Sequence, residues 1–191
     1  MRQLHRNSRI IIAILLILCL SACDLLPSQP VLAVDGPPTQ SQAAAGLLHE
    51  PAETLIVLHT NDTHGRVVGG DEIVVMSAVS ALKERYLQQN GTIVLLLDAG
   101  DTLHGTPFAT LDKGTSIISL MNEVGYDAMA PGNHDFNYGY NYLYRASEEM
   151  KFPLLSANVL ELASGRHALR EWLILERQGV KIGIFGLTSP E

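Results

Sequence analysis

From residue 53 onward, short apolar runs alternate with longer segments in which apolar residues recur every three or four positions. Short apolar runs bounded by polar residues predict buried strands, and the longer spacing predicts helices. The predicted strands are residues 54–59, 92–97, 126–130 and 154–158. The predicted helices are residues 72–89, 115–124 and 140–150. Two last apolar segments, 171–176 and 181–186, flank a Gln-Gly turn and predict a β-hairpin, so we expect a layered α/β fold with an antiparallel addition.

The first 23 residues have the three-part order of an export signal. Three arginines give a basic start, and the apolar core over residues 10–20 is too short to cross a bilayer as a permanent helix. The signal ends in Leu-Ser-Ala-Cys, which resembles the lipobox of bacterial lipoproteins and implies lipidation of Cys23. The alternative is an ordinary cleaved signal with an incidental cysteine.

Residues 24–52 are rich in Pro, Gln, Ser and Ala and show no sustained periodicity. This composition predicts a flexible tether, which as a coil would hold a domain on the order of 30 Å from a membrane. The expected organisation is a signal and lipobox over 1–23, a tether over 24–52 and a globular domain over 53–191. We therefore expect a protein of the cell envelope, lipid-anchored to the membrane through Cys23 and facing the periplasm or the exterior.

The formal net charge is −7, and loss of the signal with its three arginines would make it −10 (−7 minus 3). A polynucleotide partner is not expected, because phosphate-backbone binding normally requires a basic surface. A small anionic substrate remains compatible with this charge if metal ions supply the positive charge.

Polar clusters follow the first three predicted strands directly, at residues 61–65, 98–101 and 132–135. Function in open α/β sheets collects at the carboxyl ends of strands, so these clusters are expected to converge on one edge. Taken singly, each cluster also fits a turn or a helix cap. Their combination in order, each at a strand end, favours a metal site.

Hydrolysis of a phosphate ester explains the residue types in these clusters. Two metal ions about 4 Å apart neutralise the ester oxygens and activate water. Asp62 and His64, spaced i and i+2, can face one metal, and Asp101 leaves the neighbouring strand at a place suited to bridging. Asn133 offers a neutral amide oxygen to the second metal, and His134 can point at the substrate.

The three clusters, HTNDTHG at 59–65, DAGD at 98–101 and GNHDF at 132–136, resemble the first signature blocks of the calcineurin-like metallophosphoesterases. Within that family they most resemble the branch of bacterial 5'-nucleotidases, UDP-sugar hydrolases and 2',3'-cyclic-nucleotide phosphodiesterases. The resemblance implies a sandwich of two mixed β-sheets flanked by helices, of which this chain carries the N-terminal half. It also implies metal-dependent hydrolysis of nucleotide phosphoesters, as in nucleotide catabolism and scavenging.

Carried over by position, Asp62 and His64 resemble ligands of one metal, and Asp101 resembles the bridging ligand. Asn133 resembles a ligand of the other metal, and His134 resembles the catalytic histidine. The resemblance implies two divalent ions, which can be Mn, Zn, Mg, Ca or Co.

The chain departs from the nucleotidase pattern in two respects. Asn137 stands where the nucleotidases commonly have an aspartate that orients the catalytic histidine, and it resembles the cyclic-nucleotide phosphodiesterases instead. The substrate therefore stays open between a 5'-monophosphate, a 2',3'-cyclic nucleotide and a UDP-sugar, with no substrate-binding residue identified. The later histidine blocks are also missing, since only His167 follows His134, which predicts a domain truncated at its C-terminus. The alternative is a catalytically inactive lipoprotein.

Some further residues are expected to be exposed to solvent or to serve packing. We expect His104 to be a solvated loop residue and the alternating tyrosines at 138, 140, 142 and 144 to serve packing. We also expect the last hairpin to expose apolar side chains at Ile174, Ile182 and Ile184.

Overall fold

The computed structural model describes residues 54–67 and 76–189, together with the backbone of residues 10–14. In chain order the elements are β1 (Ile10–Ile14), β2 (Thr54–Thr60), α1 (Met76–Leu87), β3 (Thr92–Asp98), α2 (Pro107–Leu111), α3 (Thr115–Val124), β4 (Ala128–Met129), α4 (Tyr140–Ser147), β5 (Trp172–Arg177) and β6 (Val180–Phe185). A single 3-10 turn covers His134–Phe136. None of the helices within these described ranges is long and apolar enough to cross a bilayer.

The chain divides into two units, one made of Met1–Ile17 with Glu50–Glu191 and the other of Leu18–His49. The second unit contains Cys23 and most of the predicted tether, and it lies outside the described residues. The backbone of β1 falls within the apolar core of the predicted signal and pairs in parallel with β6.

The described strands of the first unit form two three-stranded sheets. One sheet has the order β2-β3-β4 and is parallel throughout. The other has the order β1-β6-β5 and is mixed, because β6 is parallel to β1 and antiparallel to β5. The predicted layered α/β fold with an antiparallel hairpin is confirmed.

Strand β3 is buried along its whole length because both of its faces are covered. Leu96 lies in the core between the parallel sheet and the helices, together with Ile117 and Met121 of α3. Leu95 and Leu97 point the other way, into a second core that contains Ile184 of β6. The two-residue period of a strand thus places alternate side chains in two cores, and the sheet becomes the middle layer of a sandwich.

Two predicted features are confirmed closely. Helix α3 has the predicted bounds, and Gly125 ends it in the left-handed conformation with its N–H donated to the carbonyl of Met121. The hairpin turn is formed by Gln178 and Gly179, both with positive φ, at 49° and 78°. Two such residues in succession match the turn geometry that suits the right-handed twist of paired strands.

Other predicted elements are wrong in extent. The strand predicted over 126–130 has only two residues, and the segment predicted as a strand over 154–158 forms only single bridges, Met129 to Leu154 and Leu155 to Arg170. The segment changes partner from one residue to the next, so no ladder develops. The helix predicted over 140–150 ends at Ser147, and the short helix α2 was not predicted. The start of the helix predicted over 72–89 lies outside the described residues, and the described part ends at Leu87.

The predicted exposure of the hairpin holds for one residue of three. Ile174 is 57% exposed, whereas Ile182 and Ile184 are buried against the parallel sheet. The prediction failed because the side chains of β6 at alternate positions face the sheet-to-sheet core.

Candidate metal centre

The polar clusters after β2 and β3 meet at the carboxyl ends of these strands, as the sequence predicts. Because the two strands are parallel and paired in register, both chains leave the sheet at the same level. Asp62, His64 and Asp101 each offer a ligand atom, and these three atoms lie within 4.8 Å of one another. Asp62 is exposed at this edge, whereas Asp101 is nearly buried.

The backbone of all three residues is left-handed, with φ of 55° at Asp62, 49° at His64 and 53° at Asp101. This conformation is uncommon for residues other than glycine and costs about 1–3 kcal/mol at each position. Hydrogen bonds between the loops hold it, since Asp62 donates its N–H to the carbonyl of Gly100 at 3.0 Å and His64 to that of Asp101 at 2.8 Å. The unusual conformation is therefore concentrated at the predicted ligands.

The loops after β3 and β4 approach so closely that only glycine fits at their contact. A Cβ on Gly100 would lie 2.2 Å from the backbone nitrogen of Gly132. A Cβ on Gly132 would lie 2.3 Å from Oδ1 of Asp101. The two glycines therefore allow the third cluster to reach the carboxylate of Asp101.

The Asp135 carboxylate ties these two loops together. Its oxygens accept four backbone N–H groups, from Asp101 at 2.9 Å, Thr102 at 3.1 Å, Leu103 at 2.8 Å and Gly132 at 2.8 Å. Burial raises the pKa of Asp135, and the four donated hydrogen bonds oppose that rise. The sequence did not predict this role for Asp135. The available signal was its position as a carboxylate inside the polar cluster at residues 132–135.

The imidazole of His64 is oriented by the main chain. Its Nδ1 lies 3.1 Å from the carbonyl oxygen of His104, which can only accept a hydrogen bond. This contact places the proton on Nδ1 and leaves the lone pair on Nε2. Nε2 lies 4.0 Å from Oδ1 of Asp62, so it is directed toward the carboxylates. A histidine held in this way by a backbone carbonyl is typical of metal-ligating histidines.

The third cluster brings His134 to the same place. Its backbone N–H donates to Oδ1 of Asp101 at 2.7 Å, and its ring lies 5.2 Å from the ring of His64. Asn133 directly precedes it and is half-buried. The side-chain amide nitrogen of Asn137 lies 3.1 Å from Nδ1 of His134. Asn137, which stands at the position of the orienting aspartate of the nucleotidases, therefore contacts the ring of His134.

Asp98, the last residue of β3, is fully buried beneath the cluster. It accepts hydrogen bonds from the hydroxyls of Thr60 at 2.6 Å and Thr102 at 2.9 Å, and from the N–H of Gly100 at 3.0 Å. Burial raises its pKa to about 7, against the lowering effect of these donors. Sequence reasoning placed Asp98 in a cluster but did not anticipate that it supports the loop from below.

His104 is not the solvated residue that the sequence predicts. It is half-buried, its ring lies parallel to that of His134 at 6.2 Å, and it contacts Tyr138 edge-on at 5.4 Å. Tyr140 and Tyr142 pack against the helix-side core, in agreement with the packing interpretation. No signal in the sequence separates His104 from an ordinary loop histidine, because its contacts come from segments distant in the chain.

Carboxylates and imidazoles gathered at the carboxyl edge of a parallel sheet are typical of an α/β protein with a metal site. Residues 55–184 match the family model of calcineurin-like phosphoesterases. The chain belongs to the calcineurin-like phosphoesterase family.

Several proteins of known name or structure are similar to this chain. A 5'-nucleotidase of Vibrio cholerae serotype O1 is 35% identical over 141 residues, which are 72% of this chain and 26% of that protein. The structure of Haemophilus influenzae NAD nucleotidase is 32% identical with a TM-score of 0.58, and the match covers 70% of this chain and 26% of the other. A 5'-nucleotidase precursor from Thermus thermophilus is 28% identical with a TM-score of 0.62, over 71% and 29% of the two chains. This chain spans less than a third of each of these proteins.

The residues present fit the divalent ions that the family implies. Carboxylate oxygens and a neutral imidazole nitrogen are ligands that Zn²⁺ and Mn²⁺ accept, and carboxylates also suit Mg²⁺ and Ca²⁺. The three ligand atoms of Asp62, His64 and Asp101 already lie close enough to share an ion.

The buried carboxyl of Asp98 predicts a pH-dependent contribution to stability. Its pKa rises from 3.8 to about 7 on folding, so its contribution is fully present below about pH 4 and is lost as pH rises toward 7. We expect Asp98→Asn to remove this loss, because an amide cannot ionise and the hydroxyls of Thr60 and Thr102 can rotate to pair with it. Between pH 4 and 7, wild-type stability should fall relative to the variant by at most about 1.4 kcal/mol per pH unit.

Denaturant unfolding of the full chain after removal of metal ions measures this difference. Glu123→Gln is the control, because it removes an exposed carboxylate on α3 and should follow the wild-type pH profile. Parallel wild-type and Asp98→Asn profiles over this range would contradict the prediction.

Proposed function

We propose that this chain supplies part of the active site of a metal-dependent hydrolase of nucleotide phosphoesters. The observation that carries the proposal is the group formed by Asp62, His64 and Asp101, all held in left-handed backbone conformations with the ring of His134 beside them. Strained backbone at three donors that meet in space is typical of a functional site. The names of the relatives, 5'-nucleotidase and NAD nucleotidase, support nucleotides as the substrate class.

In this proposal Asp62 and His64 would hold one ion, Asn133 would contribute to a second, and Asp101 would serve both. When bound, the two ions neutralise the ester oxygens and lower the pKa of a water molecule. The carbonyl of His104 keeps the proton of His64 on Nδ1, so that Nε2 stays available as a donor atom. The four hydrogen bonds that Asp135 accepts from backbone N–H groups hold the loop of Asp101 in place. The carboxylate of Asp101 therefore does not have to be reoriented when ions bind.

His134 stabilises the charge that develops on the leaving group. Hydrolysis breaks the bond between phosphorus and the ester oxygen and forms a bond between phosphorus and the water oxygen, and the proton released by the attacking water is the one gained by the leaving oxygen. Nε2–H of His134 is suited to donate a hydrogen bond to that oxygen while negative charge develops on it, because Nδ1 is engaged by Asn137 on the other side of the ring. An open cavity of about 670 Å³, lined by Asp62, Arg66 and Leu82 among others, borders the site at Asp62.

The first test is removal of the bridging carboxylate. We expect Asp101→Ala in the full chain to lose Mn²⁺ affinity and to reduce hydrolysis of 5'-AMP and bis-p-nitrophenyl phosphate at least about a hundredfold, because Asp101 serves both ions. Calorimetry and phosphate or nitrophenol release measure the two effects.

Glu84→Ala, which removes an exposed carboxylate from α1, is the matched control. Near-normal turnover by Asp101→Ala that does not depend on added Mn²⁺ would contradict the two-metal site. Metal binding by the wild-type chain without any hydrolysis would favour the catalytically inactive alternative.

A second candidate substrate is a 2',3'-cyclic nucleotide, and Asn137 favours it. A carboxylate at this position would stabilise a charged imidazolium, whereas the amide that contacts Nδ1 of His134 cannot. A monoester dianion gains more from a charged ring than a singly charged cyclic diester does. The neutral pair should therefore disadvantage 5'-monophosphates more than cyclic diesters.

This difference predicts the effect of Asn137→Asp. We expect the wild type to open 2',3'-cyclic AMP faster than it hydrolyses 5'-AMP, and the variant to shift the ratio of kcat/KM values toward 5'-AMP. Both kcat/KM values are measured on one preparation and their ratio is compared between the wild type and the variant. Asn158→Asp, which is remote from His134, is the control. A ratio that does not change would place substrate selectivity elsewhere.

We also propose that Cys23 is lipidated and anchors the protein to a membrane of the cell envelope. The support is the order of basic start, apolar core and Leu-Ser-Ala-Cys at the N-terminus. We expect incorporation of a labelled fatty acid in cells, lost in Cys23→Ser but kept in Cys19→Ser, because only Cys23 stands at the lipobox position. Unlabelled, soluble wild-type protein would overturn this proposal.

A further inference from the structure

His104 contacts both histidines of the site through different parts of the same residue. Its backbone carbonyl accepts the hydrogen bond from Nδ1 of His64 at 3.1 Å. Its ring Nδ1 lies 3.0 Å from the side-chain amide nitrogen of Asn137, which in turn lies 3.1 Å from Nδ1 of His134. The rings of His104 and His134 are nearly parallel, with an interplanar angle of 8°.

The shared amide atom couples the two imidazoles. An amide nitrogen carries two hydrogens, so Asn137 can donate one to each ring if both Nδ1 atoms are lone pairs. If the amide is turned over, its oxygen can accept from both rings only if both Nδ1 atoms carry hydrogen. In either orientation, the rings of His104 and His134 must have Nδ1 in the same state.

The orientation with the nitrogen between the rings suits a hydrogen bond from His134 to the leaving oxygen. With Nδ1 of His134 as an acceptor, its proton resides on Nε2. Asn137 alone would fix this tautomer weakly, because its side chain is exposed. The contact with Nδ1 of His104 gives the amide a second hydrogen bond, so the amide can turn over only if both rings change tautomer together.

We propose that His104 is a positioning residue for His134, acting through the side-chain amide of Asn137. The proposal rests on the proposed function, in which Nε2–H of His134 donates a hydrogen bond to the leaving oxygen. Tyr138 supports the arrangement, since its ring packs edge-on against His104 at 5.4 Å and against Tyr142 at 5.5 Å. The ring of His104 is therefore packed against an aromatic side chain that is itself held by a neighbouring ring.

The geometry separates catalysis from metal binding in a testable way. Only the side chain of His104 reaches Asn137, whereas its main-chain carbonyl orients His64. Substitutions of the His104 side chain should therefore leave the carbonyl contact with His64 in place. A purely structural role for His104 would disturb both functions together.

The experiment compares the wild-type full chain with His104→Phe and His104→Gln. Phenylalanine keeps a flat ring but removes the acceptor, whereas the side-chain oxygen of glutamine can accept the Asn137 N–H. We measure the imidazole tautomers by nitrogen-15 NMR in Zn²⁺-loaded protein, Zn²⁺ affinity by calorimetry, and kcat and KM for 5'-AMP, whose alkoxide leaving group depends on stabilisation of the leaving oxygen. His167→Gln is the control, because His167 is a surface histidine paired with Glu171 at 2.7 Å.

In the wild type we expect one neutral tautomer of His134, protonated on Nε2. His104→Phe should give a mixture of tautomers and lower kcat roughly 10- to 100-fold, with KM and Zn²⁺ affinity within about twofold of wild type. His104→Gln should restore the tautomer and most of kcat, and His167→Gln should match the wild type throughout. If His104→Phe does not fold, the comparison is made with His104→Leu.

A wild-type tautomer and an unchanged kcat in His104→Phe would overturn the proposal while leaving the proposed function intact. Equal losses in His104→Phe and His104→Gln would also overturn it, since the hydrogen bond would then not matter. If the wild type hydrolyses nothing, the proposed function fails, and the NMR comparison still decides whether His104 fixes the ring of His134.

Discussion

The arrangement of the site depends on one carboxylate, that of Asp135, and on the four backbone N–H groups that it accepts. These donors come from two loops, one after β3 and one after β4, that nothing in the local chain brings together. A buried carboxylate without such partners would be costly, so the loops are stable only when they close around it. Their closure sets Asp101 beside the loop of Asp62 and His64 and brings the N–H of His134 within 2.7 Å of the Asp101 carboxylate.

The sandwich supplies the rigid base for this closure. Strand β3 is covered on both faces, and Asp98 at its end is fully buried and bonded to Thr60 and Thr102. Movement of the loops would expose that carboxyl or break its hydrogen bonds. The left-handed backbone at the predicted ligands is therefore held by the packing around β3 and by the hydrogen bonds to Asp135. Strained backbone conformations persist only where the surrounding structure holds them in this way.

Each imidazole of the site is held through its Nδ1 atom, by a carbonyl at His64 and by an amide at His134. The difference in partner has a chemical consequence. A carbonyl accepts and leaves Nε2 as a lone pair suited to a metal ion, whereas an amide nitrogen donates and leaves Nε2–H suited to an ester oxygen. Two chemically identical side chains thus carry their proton on different ring nitrogens, and His104 takes part in both contacts.

The sequence by itself determined the layered fold, the bounds of α3, the hairpin turn and the three polar clusters at strand ends. These features follow from local rules, namely apolar periodicity, the positive φ that glycine adopts easily, and the convergence of parallel strands at their carboxyl ends. The contact between Asn137 and His134 was also predictable, because the two residues are adjacent on one turn.

Only the tertiary structure decided the roles of Asp135, Asp98 and His104, and the shortness of β4. Asp135 and His104 make their decisive contacts with residues about thirty positions away, and no local pattern encodes such partners. The length of a strand likewise depends on its neighbours, and the segment after residue 153 changes partner after one bridge. A hydrogen bond between distant segments forms only when the whole sheet is assembled, so its existence is a property of the fold rather than of any stretch of sequence.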